Sequence, residues 1–342
     1  EIALFASLLF ACHPLQTQAV TYIWQRVTSL STTFFILSLC LYIIWRIKSK
    51  NPNQLVQLPL LFYIGSLISA VLAMKTKEIA FTLPVVIFLY EIMFFEGKFK
   101  KRLLYTTPLF LTMLIIPLSL LEVDKINADL IGNISESTRV GTNIPRWDYL
   151  LTQFVVIVTY LRLIFFPINQ ILDYDFPIYN TFLIPDVFLS FLLLFSIFGL
   201  GIYMFSQSRT HNNNYRIISF GIFWFFITLS VESSFIPIVD VIFEHRIYLP
   251  SAGFFIALTI GIYILLNKFG QRKLYTIGVA FFMVVIIVFS VLTYLRNNVW
   301  SSDIALWQDT VEKSPKKDRP HISLGLALNN QGHTEEAIEH LL

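Results

Sequence analysis

Three short polar segments interrupt an otherwise apolar sequence, and their side chains are the ones that could do chemistry. The first runs His13-Pro14-Leu15-Gln16-Thr17-Gln18-Ala19-Val20 and ends in Trp24-Gln25-Arg26. The second is Lys75-Thr76-Lys77-Glu78. The third is Glu244-His245-Arg246-Ile247-Tyr248-Leu249-Pro250, preceded by Glu232 and Asp240. A guanidinium offers phosphate oxygens a planar fork and an ammonium offers a compact point charge, so this mixture suits recognition of an anionic lipid phosphate. Each segment also has a plain structural use. Arg26 or Lys77 can snorkel to headgroups, His13 can cap the next helix, and Glu244 and Arg246 can neutralise each other. Gathered on one face, His13, Arg26, Lys75, Lys77, Glu78, Glu244, His245, Arg246 and Tyr248 form the candidate donor- and acceptor-binding set, with Arg246 expected to meet the donor phosphate.

Other patterns carry less. Asp173-Tyr174-Asp175 spaces two carboxylates so that they could share a divalent cation with a diphosphate. The same spacing is common in solvated loops, so the segment reads as one of these and no metal site is expected. Cys12 and Cys40 lie in or beside apolar stretches without ligand spacing and read as packed thiols. No Ser-His-Asp series, Walker loop or zinc pattern occurs, so a soluble hydrolase or ATPase core is not indicated.

The elements that must position these residues are membrane helices. Hydrophobic residues make up 56% and charged residues 14% of the chain, with a mean hydropathy of +0.67, which leaves too little polar surface to cover a soluble globule. Runs long enough to cross an apolar slab of about 30 Å occur at 28–45, 58–74, 79–95, 103–121, 150–166, 183–205, 217–231, 250–266 and 274–295, and 2–12 resembles the tail of another. The fold class expected is all-α: a polytopic membrane domain of about ten apolar segments over residues 1–299, then a connector and the start of a helical repeat over 300–342. The chain reads as a fragment of a longer protein.

Orientation follows from the basic residues. Arg46, Lys48 and Lys50; Lys98, Lys100, Lys101 and Arg102; Arg209 and Arg216; and Lys268, Arg272 and Lys273 fall in one set of loops, opposed there by a single acid, Glu96. These loops are assigned to the cytoplasm and the polar segments to the outer or lumenal face. Alternation then conflicts around 167–182, and the conflict is resolved by letting 150–166, which contains Gln153 and Arg162, re-enter or lie along the interface. From His321 onward, Leu324-Gly325, Leu328, Gly332, Ala337 and Leu341 fall at the small and apolar positions of a tetratricopeptide repeat. One such unit cannot bury its own face, so further repeats are expected beyond Leu342.

Taken in order, HPLQTQAVTYIWQRVTSL, KTKE, EHRIYLPSAGF and NNVWSSDIALWQDTVEKSP leading into the repeat resemble the transmembrane and tetratricopeptide repeat (TMTC) family and its prokaryotic relatives. These are membrane enzymes of the GT-C glycosyltransferase superfamily. The resemblance covers nearly the whole chain and implies an inverting transfer of mannose or another hexose from a polyprenyl- or dolichyl-phosphate donor to a protein hydroxyl. The donor is a substrate, and no cofactor or nucleic-acid partner is implied. Partners would be membrane lipids and an acceptor polypeptide presented by the repeats. The setting would be a bacterial or archaeal inner or plasma membrane, or the endoplasmic reticulum in a eukaryote.

The resemblance also implies a catalytic acidic pair, expected upstream of Glu1, and Gln18 stands where family members commonly carry glutamate. By the same resemblance His13 and Arg26 would line the rim, Lys77 and Glu78 would lie near the lipid phosphate, and Glu244, His245 and Arg246 would form the opposing wall. Two other classes fit the sequence less well. An O-antigen ligase-like enzyme would need a large outer loop with paired arginines and a histidine, but 122–149 has Arg139 and Arg146 and no histidine. A membrane-anchored repeat scaffold would need only one or two spans.

Overall fold

The computed structural model describes residues 2–49, 57–120, 142–208, 214–268 and 272–341. These residues form helices and no strand: α1 (Ile2–Cys12), α2 (Gln16–Thr21), α3 (Arg26–Lys48), α4 (Gln57–Thr76), α5 (Leu83–Phe94), α6 (Phe99–Thr112), α7 (Ile115–Leu120), α8 (Arg146–Phe165), α9 (Pro185–Gln207), α10 (Asn214–Leu229), α11 (Tyr248–Lys268), α12 (Arg272–Val299), α13 (Asp303–Lys313), α14 (Asp318–Asn330) and α15 (Thr334–Leu341). The chain is therefore an all-α polytopic membrane protein. Seven helical stretches are long and apolar enough to cross a membrane: Ile23–Lys48, Pro59–Thr76, Phe99–Ser119, Arg146–Phe165, Pro185–Gln207, Glu244–Asn267 and Tyr275–Val299. The helices Ile2–Cys12 and Asn214–Leu229 are apolar but shorter. Most of the 122–149 loop, including Arg139, and the bases Lys50 and Arg209 lie outside the described residues.

Two of the expected spans are broken into shorter pieces. The 79–95 run is a 3-10 turn, Glu78–Thr82, followed by α5, which has only 12 residues. Pro84 sits in the first turn of α5, where its missing N–H costs nothing. The 103–121 run bends at Met113-Leu114, between α6 and α7. Pro117 lies four residues beyond Met113 and cannot bond to its carbonyl, which accounts for the break.

Two apolar cores hold the bundle, and α10 contributes to both. Phe35, Leu39 and Tyr42 of α3 pack with Ala70, Ala73 and Met74 of α4, Leu83, Val86 and Ile87 of α5, and Phe220 and Trp224 of α10. On the other side Val156, Tyr160 and Leu163 of α8 meet Leu9 of α1, Phe225 and Leu229 of α10, Phe255 of α11, and Phe282 and Phe289 of α12. Between lipid-like helix surfaces the attraction is packing, so small residues that let backbones approach matter most. A Cβ at Gly253 would stand 2.4 Å from Trp224 Cδ1, and one at Gly221 would stand 2.4 Å from the Gly253 carbonyl oxygen. The Trp224 indole seated there donates to the Leu249 carbonyl at 2.9 Å.

An ion pair lies buried at the base-rich end. Arg46 is not a free loop base: its Nη2 donates to Glu91 Oε1 at 2.5 Å, and Glu91 is wholly enclosed. Tyr42 donates to the same carboxylate at 3.1 Å. The guanidinium also lies 4.8 Å from the Phe95 ring centre and 4.9 Å from that of Tyr105, so α3, α5 and α6 are tied at one point.

The α8 helix is continuous, long and apolar enough to cross, yet both its ends are fixed to loops at the opposite end of the bundle. Tyr149, near its start, donates to the Glu232 carbonyl at 2.8 Å. Gln153 donates to Val241 O at 2.9 Å and Tyr160 to Phe243 O at 2.9 Å. Near its finish the Ile164 carbonyl accepts from His13 at 2.9 Å. These bonds fasten α8 along its length to the loops of the rim.

Candidate functional site at the rim of the bundle

The three polar segments meet at the end of the bundle away from the Arg46–Glu91 pair. The link is physical: Lys77 donates to Thr28 at 3.0 Å and pairs with Glu232 at 3.1 Å, joining the ends of α3 and α4 to the loop after α10. Arg246 lies beside the same carboxylate, its Nε 4.0 Å from Glu232 Oε1. Its Nη2 donates to the Asp240 carbonyl at 2.8 Å and its Nη1 to that of Val241 at 3.2 Å. The fork is therefore occupied in folding the 240–243 loop back over the 3-10 turn Glu244–Ile247.

Glu244 does not pair with Arg246. It accepts from Gln170 Nε2 at 2.8 Å, from the Ile171 amide at 2.9 Å and from the Tyr174 hydroxyl at 2.7 Å. A buried carboxylate with three donors is a firm anchor, and what it anchors is the loop after α8. Burial, with Glu244 beside it, holds the Tyr174 phenol well above its ordinary range. Asp173, two residues after Ile171, is not in a solvated loop either. It is enclosed and receives Lys317 and, at 2.5 Å, the Nε of Arg319. Arg319 also grips Asp240 at 2.8 Å. Among the described residues no group of three or more His, Cys, Asp or Glu side chains is placed to hold a metal ion. Asp173 and Asp240 seat the segment that follows α12.

That segment is a helical hairpin with a lead helix. Ser302 caps α13 by accepting from the Ala305 amide at 3.2 Å. Leu324, Leu328 and Ala337 pack with Ile304, Trp307 and Val311. Gly332, at a φ of 88°, makes the turn between α14 and α15. A second tether runs through Arg296, which bonds Asp309 at 2.9 Å, and Lys313, which bonds Asp309 at 2.5 Å and the Gln170 carbonyl at 3.1 Å.

Where the hairpin root meets the rim a cavity of about 170 Å³ remains. Gln18, Tyr22 and Gln25 form one wall, and Leu172 and Asp173 another. Phe243 and His245 line it from the turn, and Trp307 and Arg319 close it from α13 and α14. The Gln18 carbonyl oxygen accepts from the His245 amide at 2.6 Å and lies 3.3 Å from its Nδ1.

The remaining candidates divide into exposed and enclosed. Arg26, Lys75 and Glu78 are exposed, and among the described residues none of them forms an ion pair. Arg26 donates to Val20 O at 3.1 Å. Ile23 and Trp24 beside it also stand out from the bundle, as residues at a membrane interface do. Tyr248 is half-buried against Phe10.

His13 is fully enclosed, with Nε2 on the Ile164 carbonyl at 2.9 Å and Nδ1 accepting from the Leu15 amide at 3.2 Å. It fixes the corner from α1 to α2 and has no nitrogen left for a substrate. Burial lowers its pKa to about 4 from an ordinary 6.5, against the pull of the Ile164 bond. The folded state thus favours the neutral ring, so this contribution is complete above about pH 6.5 and is lost as pH falls toward about 4, a change on the order of 3 kcal/mol. His13→Gln should flatten that acid limb of the thermal unfolding profile in detergent. An unchanged pH slope in the variant would rule His13 out as its source.

Lys317, Arg319, Asp309 and Arg296 formed no part of the sequence expectation, because nothing local marks the distant partners they find. No family model matches the chain, and no solved structure matches it. Curated proteins do. The mouse protein O-mannosyl-transferase TMTC3 is 24% identical over 370 aligned positions, covering 99% of this chain and 38% of that protein. The Caenorhabditis elegans protein O-mannosyl-transferase F38B6.6 is 25% identical over 346 positions, covering 98% of this chain and 44% of that protein. Human TMTC3 gives 24% over 370 positions. The chain spans about two fifths of the length of these curated relatives.

Proposed function

We propose that this relative of the TMTC-type proteins is the membrane part of a glycosyltransferase that moves mannose or another hexose from a polyprenyl- or dolichyl-phosphate to a protein hydroxyl. The observation that carries the reading is the convergence of three separated polar segments at one end of an apolar bundle, two of them lining one cavity and the third tied to them through Lys77, in a chain similar end to end to proteins named O-mannosyltransferases. In the step proposed, the acceptor oxygen forms a bond to the anomeric carbon while the bond from that carbon to the phosphate oxygen breaks with inversion. The electron pair leaves with the lipid phosphate. A base takes the hydroxyl proton. Glu232, Glu244 and Asp173 are each buried and committed to partners, and Glu78 is exposed and does not line the cavity, so the base role stays with the acidic pair that the family resemblance places ahead of Glu1.

Among the described residues of the three rim segments, the exposed cations placed to meet a phosphate at headgroup depth are Arg26 and Lys75, at the adjoining ends of α3 and α4 and beside the exposed Trp24. Lys77 and Arg246 add positive potential behind them. This end of the bundle is taken as the outer or lumenal face, where the repeats after α13 would present the acceptor. Full-length protein in lipid vesicles, given a labelled polyprenyl-phosphate mannose and a serine- and threonine-bearing peptide, should label the peptide. The Arg26→Ala/Lys75→Ala variant should transfer about tenfold more slowly, a loss of about 1.4 kcal/mol, with unchanged thermal unfolding. Failure of the full-length protein to transfer mannose, glucose or N-acetylglucosamine from such lipids would overturn the proposal.

A further inference from the structure

We infer that the cavity between the rim and the hairpin root is a binding pocket for a neutral pyranose ring, and that the soluble connector, through Trp307 and Arg319, supplies one of its walls. The inference deepens the transfer reading and rests on it for the source of the sugar. It begins with one atom. Gln18 is almost wholly enclosed, its oxygen is fixed by the His245 amide at 2.6 Å, and its Nε2 has no partner among the described residues. The bond to a backbone N–H settles which end of the amide is oxygen. An enclosed N–H₂ without an acceptor costs about 1–3 kcal/mol, and this one belongs to a residue lining a cavity of about 170 Å³.

The rest of the lining says which acceptor fits. Asp173 gives one oxygen to Lys317 and the other to Arg319, and each oxygen keeps lone-pair capacity for a hydroxyl. Arg319 in turn is shared between Asp173 and Asp240, so the pocket holds no surplus positive charge to attract an anion. Tyr22, Phe243 and Trp307 add aromatic surface. Aromatic surface with amide, carboxylate and guanidinium groups at its edge complements a pyranose, whose C–H bonds lie on its faces and whose hydroxyls lie around its rim. A phosphate is better met by the exposed Arg26 and Lys75.

The pyranose could be the donor's sugar or one already attached to the acceptor, and the test separates these. Saturation-transfer NMR on the detergent-solubilised protein, with methyl α-D-mannopyranoside as probe and inorganic phosphate as competitor, should show transfer to the glycoside that phosphate leaves unchanged. Gln18→Glu keeps the oxygen that accepts from His245 and removes the free N–H₂, so it should weaken binding about fivefold, the scale of one lost hydrogen bond. Trp307→Ala should abolish the signal, and Trp307→Phe, which keeps a ring, should retain part of it at a normal unfolding temperature. Competition by a polyprenyl-phosphate mannose would assign the pocket to the donor, and competition by an O-mannosyl peptide would assign it to the acceptor. No signal with mannoside, glucoside or galactoside, a signal displaced by phosphate, or one indifferent to both Gln18→Glu and Trp307→Ala would overturn the inference. Because binding is read without catalysis, glycoside binding in a protein that transfers nothing would leave the pocket standing and remove the transferase reading instead.

Discussion

Glu91→Leu should cost about 3–5 kcal/mol of stability, and adding Arg46→Leu should restore most of the loss. Glu91 has no solvent contact, and its partners are the Arg46 guanidinium at 2.5 Å and the Tyr42 hydroxyl at 3.1 Å. Inside a membrane bundle a lone guanidinium is worse placed than in a soluble core, because little water can reach it. Removing one partner leaves such a charge, whereas removing both leaves an apolar contact among α3, α5 and α6. Arg46 also lies close to Phe95 and Tyr105, so some packing loss will persist in the double variant. Reversible unfolding in mixed detergent would give the two single values and the double value. Additive losses would show that the pair is not coupled and that each side chain matters only through its own packing.

The uneven legibility of this protein has a physical origin. Apolar runs of span length announced α3, α4, α9, α11 and α12, because a membrane demands long unbroken apolar helices and the sequence must supply them. Leu324, Gly325, Leu328 and Ala337 are equally visible as small and apolar positions at helical spacing, and they pack where α14 meets α15 and α13. The rim segments were recognised as special because polar clusters beside spans are rare. What the rim residues do was not legible. Whether Glu244 turns to Arg246 or to Gln170, Ile171 and Tyr174 depends on a loop 70 residues and more away. Asp173 reads locally as a solvated residue because its two cations lie about 145 positions later. Glu91 is hidden inside an apolar run and Arg46 falls among the loop bases, since charge counting cannot see a pair formed across two helices.

Arg246→Ala should be the other severe change, at about 3 kcal/mol, and Glu244→Gln should be milder, at about 1–2 kcal/mol. Truncating Arg246 leaves the buried carbonyl of Val241 and the part-buried carbonyl of Asp240 without their donor and takes one cation from Glu232, although Lys77 still holds that carboxylate at 3.1 Å. In Glu244→Gln the amide oxygen can still accept part of what Gln170, Ile171 and Tyr174 donate. Had the two residues been partners, the losses would match. Arg246→Lys separates fold from chemistry: an ammonium keeps the charge near Glu232 but cannot span both carbonyls, so stability should fall by about 1–2 kcal/mol. If the guanidinium serves the loop, sugar transfer per folded molecule should stay within about threefold of the parent enzyme. Unfolding in detergent and transfer in vesicles, measured on the same preparations, decide between the two roles. A lysine variant as stable as the parent but about tenfold slower in transfer would return Arg246 to the donor phosphate. It would also mean that the 240–243 loop opens when the lipid arrives, because the fork cannot hold both carbonyls and a phosphate at once.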